Sequence, residues 1–176
     1  MKTIKLLTLF GFFILTACSS VHVNTDYDKR ARFDQYKTFA YLKSGIDKAE
    51  ISDLDKKRIL YALDETLTTK GFTKSENADI LINFFTKEKE RVDYYNNNWG
   101  WNMGWNNPWW GSFSYSMPIT SIEGTLIIDV IDAKTKELIW QGKGSGQLTE
   151  DVNKKDARIK EFVSRILEKY PPQIKN

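Results

Sequence analysis

The chain has 176 residues, with 26 lysines and arginines, 23 aspartates and glutamates, six tryptophans, one histidine and one cysteine. This length suits one domain. The formal charge of +3 disfavours nucleic acid as a partner, because such proteins carry a strongly basic surface. A single cysteine and a single histidine exclude an intrachain disulfide framework and a Cys/His metal site, and they leave little material for His-based catalysis.

The N-terminal residues have the pattern of a cleaved secretory signal. Lys2 and Lys5 flank the start of a twelve-residue apolar run, Leu6–Ala17, which is too short to span a bilayer as a permanent helix. The run ends at Cys18 in the sequence Leu-Thr-Ala-Cys. This ending resembles the bacterial lipobox, in which small residues precede a cysteine that is acylated. We therefore predict that residues 1–17 are a signal peptide.

The lipobox resemblance implies a membrane anchor at Cys18. A cysteine that carries two or three acyl chains, such as palmitate, meets the requirement for stable attachment. Ser19 and Ser20 follow it in place of an aspartate retention signal, which implies sorting to the outer membrane of a Gram-negative cell, facing the periplasm. Residues 18–20 form a tether of only about 10 Å, so we expect the folded body to lie against the bilayer.

The first half of the chain predicts two short strands and one long helix. Apolar residues alternate at 21–27 and 37–42, as in strands, and residues 43–52 are predicted to be a loop. A helix is expected from Ser52 or Asp53 to Lys70, where a glycine ends it. Its apolar stripe comprises Ile59, Leu60, Ala62, Leu63 and Leu67.

The second half predicts three strands and a second helix. Residues 78–87 form a strand with both faces largely apolar. The strand 122–132 turns into the strand 137–145, giving an antiparallel hairpin. A helix spans about 154–169 and stops before two prolines.

This order of elements predicts one α+β domain over residues 21–172, with a largely antiparallel sheet and two helices packed on one face. The core should form between the hairpin and the C-terminal helix. Its predicted members are Leu126, Ile128, Val130, Trp140, Phe162 and Ile166.

Short sequence blocks in a fixed order carry a family resemblance. They are Asp26-Tyr27-Asp28, the run 33–41, Leu67 to Phe72 with Ala78-Asp79-Ile80, residues 124–129, residues 138–142, and Tyr170-Pro171-Pro172. Together they resemble the bacterial lipoprotein family catalogued as domain of unknown function 4136. The resemblance implies an envelope lipoprotein with an α+β fold, and it implies no activity, cofactor or catalytic residue.

No catalytic set can be assembled from the remaining polar residues. His22 has no histidine or cysteine companion. The run Gly142–Gly146 lacks the spacing of a phosphate loop or a nucleophile elbow, and its alternating glycines indicate a strand face that a helix approaches closely. Asp26 with Asp28, or Asp129 with Asp132, could chelate a cation or form an acid-base pair, which keeps a hydrolase open as an alternative.

The segment Tyr94–Met117, here called the Trp-rich segment, is the most unusual part of the chain. It contains nine of the 24 aromatic residues, six asparagines and no charge, and a 24-residue stretch of this kind is uncommon in a compact domain unless it is functional or disordered. Its candidate binding residues are Tyr94, Tyr95, Trp99, Trp101, Trp105, Trp109 and Trp110.

The aromatic side chains need a partner, since this many exposed indoles would form a large apolar patch. They could cover the sheet, stack on peptidoglycan or another glycan, or lie at the membrane interface, which Trp and Tyr prefer. The absence of charge disfavours nucleic acid. We therefore expect a lipid-anchored envelope protein without enzymatic activity, with a structural or binding role and with a glycan or another envelope protein as a partner. The alternative is a glycan- or membrane-interface-binding module that uses this segment.

Overall fold

The computed structural model describes residues 21–95 and 117–173, and at 88–95 and 117–122 it describes the backbone alone. The strands of the described chain are β1 (His22–Tyr27), β2 (Thr38–Tyr41), β3 (Thr73–Lys74), β4 (Ile80–Tyr95), β5 (Met117–Asp132) and β6 (Leu138–Gln147). The helices are α1 (Lys43–Ile46), α2 (Asp53–Thr69) and α3 (Val152–Leu167), with a short 3-10 helix at Phe33–Gln35.

The six strands form one mixed sheet in the order β1-β6-β5-β4-β2-β3. The α+β class is confirmed, but the prediction of a largely antiparallel sheet with two helices is wrong. β2 runs parallel to both β4 and β3, because α2 lies between β2 and β4 in the chain and returns it to the same end of the sheet. The third helix, α1, lies in the stretch 43–52 that was predicted to be a loop.

α2 begins and ends where the sequence predicts. The Ser52 hydroxyl accepts a hydrogen bond from the backbone N–H of Asp55 (3.1 Å), which satisfies a free donor of the first turn. Gly71 follows the helix with φ +88°, a conformation that suits glycine. Ile59, Leu63 and Leu67 are buried on the inner side, so the predicted apolar stripe is the packed face.

α3 packs on β6 through a strip of glycines. A Cβ atom at Gly142 would overlap the side chains of Trp140 and Ile166, and one at Gly144 would also overlap Ile166. This close approach confirms the prediction made from the alternating glycines. It seats Ile166 directly on the backbone of β6, where Ile166 and Trp140 are both fully buried.

α2 and α3 run in the same direction. The Lys155 ammonium group of α3 lies 3.3 Å from the Asp55 carboxylate of α2, and farther along both helices Lys160 is paired with Glu65. Residue numbers therefore increase in the same direction along both helices. Both helices begin at one end of the sheet and finish at the other.

β4 and β5 are much longer than predicted. Past Gln147, the last residue of β6, they remain paired alone over residues 90–95 and 117–122. Six residues of strand correspond to about 20 Å. We call this extension the two-stranded arm. It corrects the predicted strand limits at Lys87 and Ile122, since the charged residues that follow Lys87 continue the strand.

The predicted core is confirmed, since all six of its members are buried. We expect Phe162→Ala to lower the free energy of unfolding by about 3 to 5 kcal/mol, because Phe162 is 4% exposed and its removal leaves a cavity beneath α3. Chemical denaturation measures this change. Tyr61→Ala is the matched control, because Tyr61 is 71% exposed on α2, and its midpoint should stay close to that of the wild type. Equal midpoints for all three proteins would contradict this packing.

Candidate functional site

Several features of the chain meet at one end of the sheet, which we call the arm end. His22 of β1 pairs with Ser145 of β6, Ser145 with Thr125 of β5, and Thr125 with Lys87 of β4. The arm extends outward just beyond this row. Val21, the first described residue, precedes the row, and α2 and α3 both begin at this end. The register of four strands therefore places the start of the described chain beside the base of the arm.

A groove of about 540 Å³ opens at the arm end between α2, α3 and the sheet. Its apolar lining consists of Ile51, Ile59, Leu126, Leu148, Ile159 and Phe162. Its charged lining consists of Asp55, Lys87, Glu150, Lys155 and Arg158. A concave site with mostly apolar walls and polar groups at the edge is the usual form of a small-molecule or lipid site.

Gly124 of β5 shapes one wall of the groove. A Cβ atom at this position would overlap the side chain of Leu148, so the glycine lets Leu148 lie flat against the sheet while it stays 38% exposed. Leu126 and Phe162 are both buried behind it. The sequence reasoning missed this groove, because its lining comes from five separate stretches of chain and no single pattern brings them together.

Three of the five charged side chains of the groove, Asp55, Lys155 and Arg158, are held by partners within the protein. Burial raises the pKa of Asp55, but hydrogen bonds from Ser52, Arg58 and Lys155 outweigh it, so the pKa lies below its ordinary value. Arg158 donates to the Gln147 carbonyl oxygen (2.8 Å) and to Glu161 (2.7 Å). These charges are fixed in ion pairs, which suits a binding surface better than acid-base chemistry.

A separate polar row lies on the other face of the sheet. Asp129 of β5 is flanked in register by Asn83 of β4 and Gln141 of β6. The Gln141 amide donates to the Asp129 carboxylate (2.7 Å). Burial raises the pKa of Asp129, although hydrogen bonds from Gln141 and Asn83 oppose the rise. Gly45 of α1 lies directly against Asn83, which shows that glycine is needed there for α1 to approach.

The residues predicted to carry function fall mostly outside the described chain. Cys18, Trp99, Trp101, Trp105, Trp109 and Trp110 lie outside it. Tyr94 and Tyr95 end β4 at the tip of the arm, so the Trp-rich segment begins and ends in paired strand. The predicted loop is therefore shorter than 94–117, because Tyr94 and Tyr95 belong to β4 and Met117 belongs to β5.

The other polar candidates do not converge. His22 is exposed on β1, and Asp26 is exposed on the same strand. Asp28 accepts a hydrogen bond from the backbone N–H of Arg30 (2.9 Å). Asp132 is the last residue of β5 and accepts a hydrogen bond from the Tyr36 hydroxyl (2.7 Å). Among the side chains described at 21–87 and 123–173, no three histidine, cysteine or acidic groups gather as a metal site would require.

A second concavity, of about 560 Å³, lies at the end of the domain opposite the arm. Its cationic lining consists of Lys29, Arg30, Arg32, Lys37 and Lys70. All five side chains belong to exposed residues, where solvent and salt screen their attraction for anions. The groove at the arm end is therefore the better-formed candidate site.

The buried Asp129 predicts a pH dependence of stability. The raised pKa means that the folded state holds this proton more tightly than the unfolded chain does, so stability is lost as the pH rises through the folded pKa. Asp129→Asn removes that loss. We expect the variant to be more stable than the wild type at neutral pH, with the difference vanishing in acid, as measured by urea unfolding across pH.

Asp132→Asn is the control of opposite sign. Hydrogen bonds from the backbone of Thr135, from Tyr36 and from the backbone of Lys134 hold the pKa of Asp132 below its ordinary value, so this carboxylate stabilises the fold above acid pH. The variant should be less stable than the wild type at neutral pH. An Asp129→Asn variant that loses stability at neutral pH would contradict the account.

Solved structures with a similar fold are distant in sequence. A PDZ domain protein from Parabacteroides distasonis is 18% identical, with 97% of this chain and 41% of that chain covered and a TM-score of 0.53. This chain thus spans less than half the length of that protein, and the likeness concerns the fold alone. The PelC dodecamer from Paraburkholderia phytofirmans is 12% identical, with 84% and 95% covered and a TM-score of 0.49.

No curated protein matches the chain in sequence. A family model does match it, over residues 23–172, which include almost all of the described sheet and its helices. This match confirms the family resemblance that the sequence blocks carry. The chain therefore belongs to DUF4136, a domain of unknown function.

Proposed function

We propose that this protein is a lipid-anchored component of the cell envelope, held on the periplasmic face of the outer membrane by acyl chains on Cys18. The basic head, the short apolar run and the Leu-Thr-Ala-Cys ending support this proposal. Its role is structural or binding rather than enzymatic, which the ion-paired charges around the groove support.

The position of Val21 is the observation that carries the proposal furthest. Val21 lies against the sheet beside the arm, 5% exposed, and it is the third residue after Cys18. A tether of about 10 Å brings an acylated Cys18 close to the arm end of the domain. In the described part of the chain, no helix has the length and apolar character needed to cross a membrane.

The second candidate function is binding through the Trp-rich segment. The arm starts at the end of the sheet where the described chain begins, three residues after Cys18. The Trp-rich segment therefore joins the fold on the side of the proposed anchor. This shared side favours the membrane interface over peptidoglycan as the partner, since Trp and Tyr concentrate at interfaces.

The anchor is tested by Cys18→Ser in cells labelled with radioactive palmitate. We expect the variant to lose all label and to leave the outer-membrane fraction, because no other cysteine can be acylated. Ser20→Ala is the matched control and should keep both properties. A Cys18→Ser protein that is still labelled with palmitate would contradict the proposal.

The Trp-rich segment is tested by removing residues 95–117 and joining Tyr94 to Pro118, which are paired in register, through Asn-Gly. The free energy of unfolding should change by less than about 1 kcal/mol, because the shortened loop closes a hairpin beyond the packed core. Trp140, the one tryptophan left and fully buried, reports unfolding by fluorescence.

The same deletion separates the alternatives for binding. Loss of vesicle affinity with no change on peptidoglycan supports the interface, and loss on peptidoglycan alone supports the glycan. A fall in stability of several kcal/mol would show instead that the segment covers the sheet.

A further inference from the structure

The exposed apolar side chains of the described residues are unevenly distributed. Five large ones are exposed, namely Leu54, Tyr61, Leu138, Leu148 and Val152. Leu54 (63%), Val152 (65%) and Leu148 (38%) lie at the arm end. Tyr61 lies along α2, and Leu138 begins β6 at the opposite end. The arm end therefore concentrates the apolar surface that has no partner within the described fold.

These three residues belong to the stretches of chain that form the groove. Leu54 is next to Asp55, which lines it, and Leu148 lines it directly. Val152 starts α3 just after Glu150, another lining residue. Because α2 and α3 run in the same direction, the first turns that carry Leu54 and Val152 both lie at this end of the sheet. We call Leu54, Leu148 and Val152 the apolar rim.

We propose that the apolar rim and the adjoining groove form a bilayer-contacting surface, which sits in the lipid headgroup region and receives a phospholipid acyl chain in the groove. The position of this surface rests on the proposed anchor. The chain that precedes Val21 supplies the argument for a membrane rather than a second copy of the protein, because Cys18 lies within about 10 Å of the arm end.

The charges around the groove indicate how the surface holds lipid. Its lining carries three cations, Lys87, Lys155 and Arg158, against two carboxylates, Asp55 and Glu150, and several of these are paired with one another or with neighbours. Little net charge is left to attract anionic headgroups. Binding therefore depends on burial of apolar surface, and it should persist in high salt and on zwitterionic lipid.

The test uses the chain from Ser19 onward, which retains the whole described fold and carries no acyl group. Sedimentation with phosphatidylcholine vesicles measures binding without the acyl anchor, so the result is independent of the Cys18→Ser experiment. Leu54→Glu, Leu148→Glu and Val152→Glu combined should weaken binding by about tenfold or more. Tyr61→Glu with Leu138→Glu is the matched control, with exposed apolar residues elsewhere, and should bind as the wild type does.

The Trp-rich segment is intact in every variant, so it cannot account for a difference between them. Thermal unfolding confirms that the substituted proteins are folded. Equal vesicle binding by the rim variant and the control variant would overturn the proposal. A wild-type chain that binds no vesicles would also overturn it. So would a rim variant that binds vesicles as the wild type does but changes from dimer to monomer in light scattering.

Discussion

The contact between α3 and β6 fixes the arrangement of this domain. Gly142 and Gly144 have no side chain to hold the helix away, so Ile166 lies on the strand backbone next to Trp140. Dense packing of this kind leaves few alternative orientations for the helix. The contact sets the direction of α3, and the ion pairs between α3 and α2 show that α2 runs in the same direction.

As a result, several distinctive features of the fold lie at one end of the sheet. α2 and α3 start there, β4 and β5 extend beyond the other strands there, and β1 brings the beginning of the described chain to the same edge by pairing with β6. The groove lies between the helix starts and the sheet, and the apolar rim lies at the same end. The opposite end carries turns and exposed cations instead. This polarity underlies both proposals, because a short tether can hold only one end near a membrane.

Much of the fold follows from local patterns in the sequence. The caps of α2, the apolar stripes of both long helices and the glycines of β6 act through near neighbours, so single residues such as Ser52 and Gly71 predict them. The parallel pairing of β2 with β4 was missed, although a strand, a helix and a strand in succession favour it. α1 was missed because four residues around Gly45 have little helical propensity of their own, and contact with Asn83 holds them in place.

The candidate site was harder to foresee than the fold. The lipobox-like ending at Cys18 and the Trp-rich segment are continuous in sequence, so both are apparent from the sequence alone. The groove joins residues as distant as Ile51 and Phe162, and Gly124 matters only because Leu148 lies over it. The extension of β4 past Lys87 depends on cross-strand pairing, since residues 88–91 are charged and carry no strand signal of their own.

The most direct test of the proposal that the arm end faces the membrane is the orientation of the acylated protein on a bilayer. Because Cys18 is its only cysteine, an introduced thiol can be labelled selectively with a fluorophore, at the arm end by Asn153→Cys or at the opposite end by Lys134→Cys. With lipids that carry a nitroxide quencher in the headgroup, the account predicts strong quenching at position 153 and little at position 134. Equal quenching at both positions, or the reverse order, would contradict it.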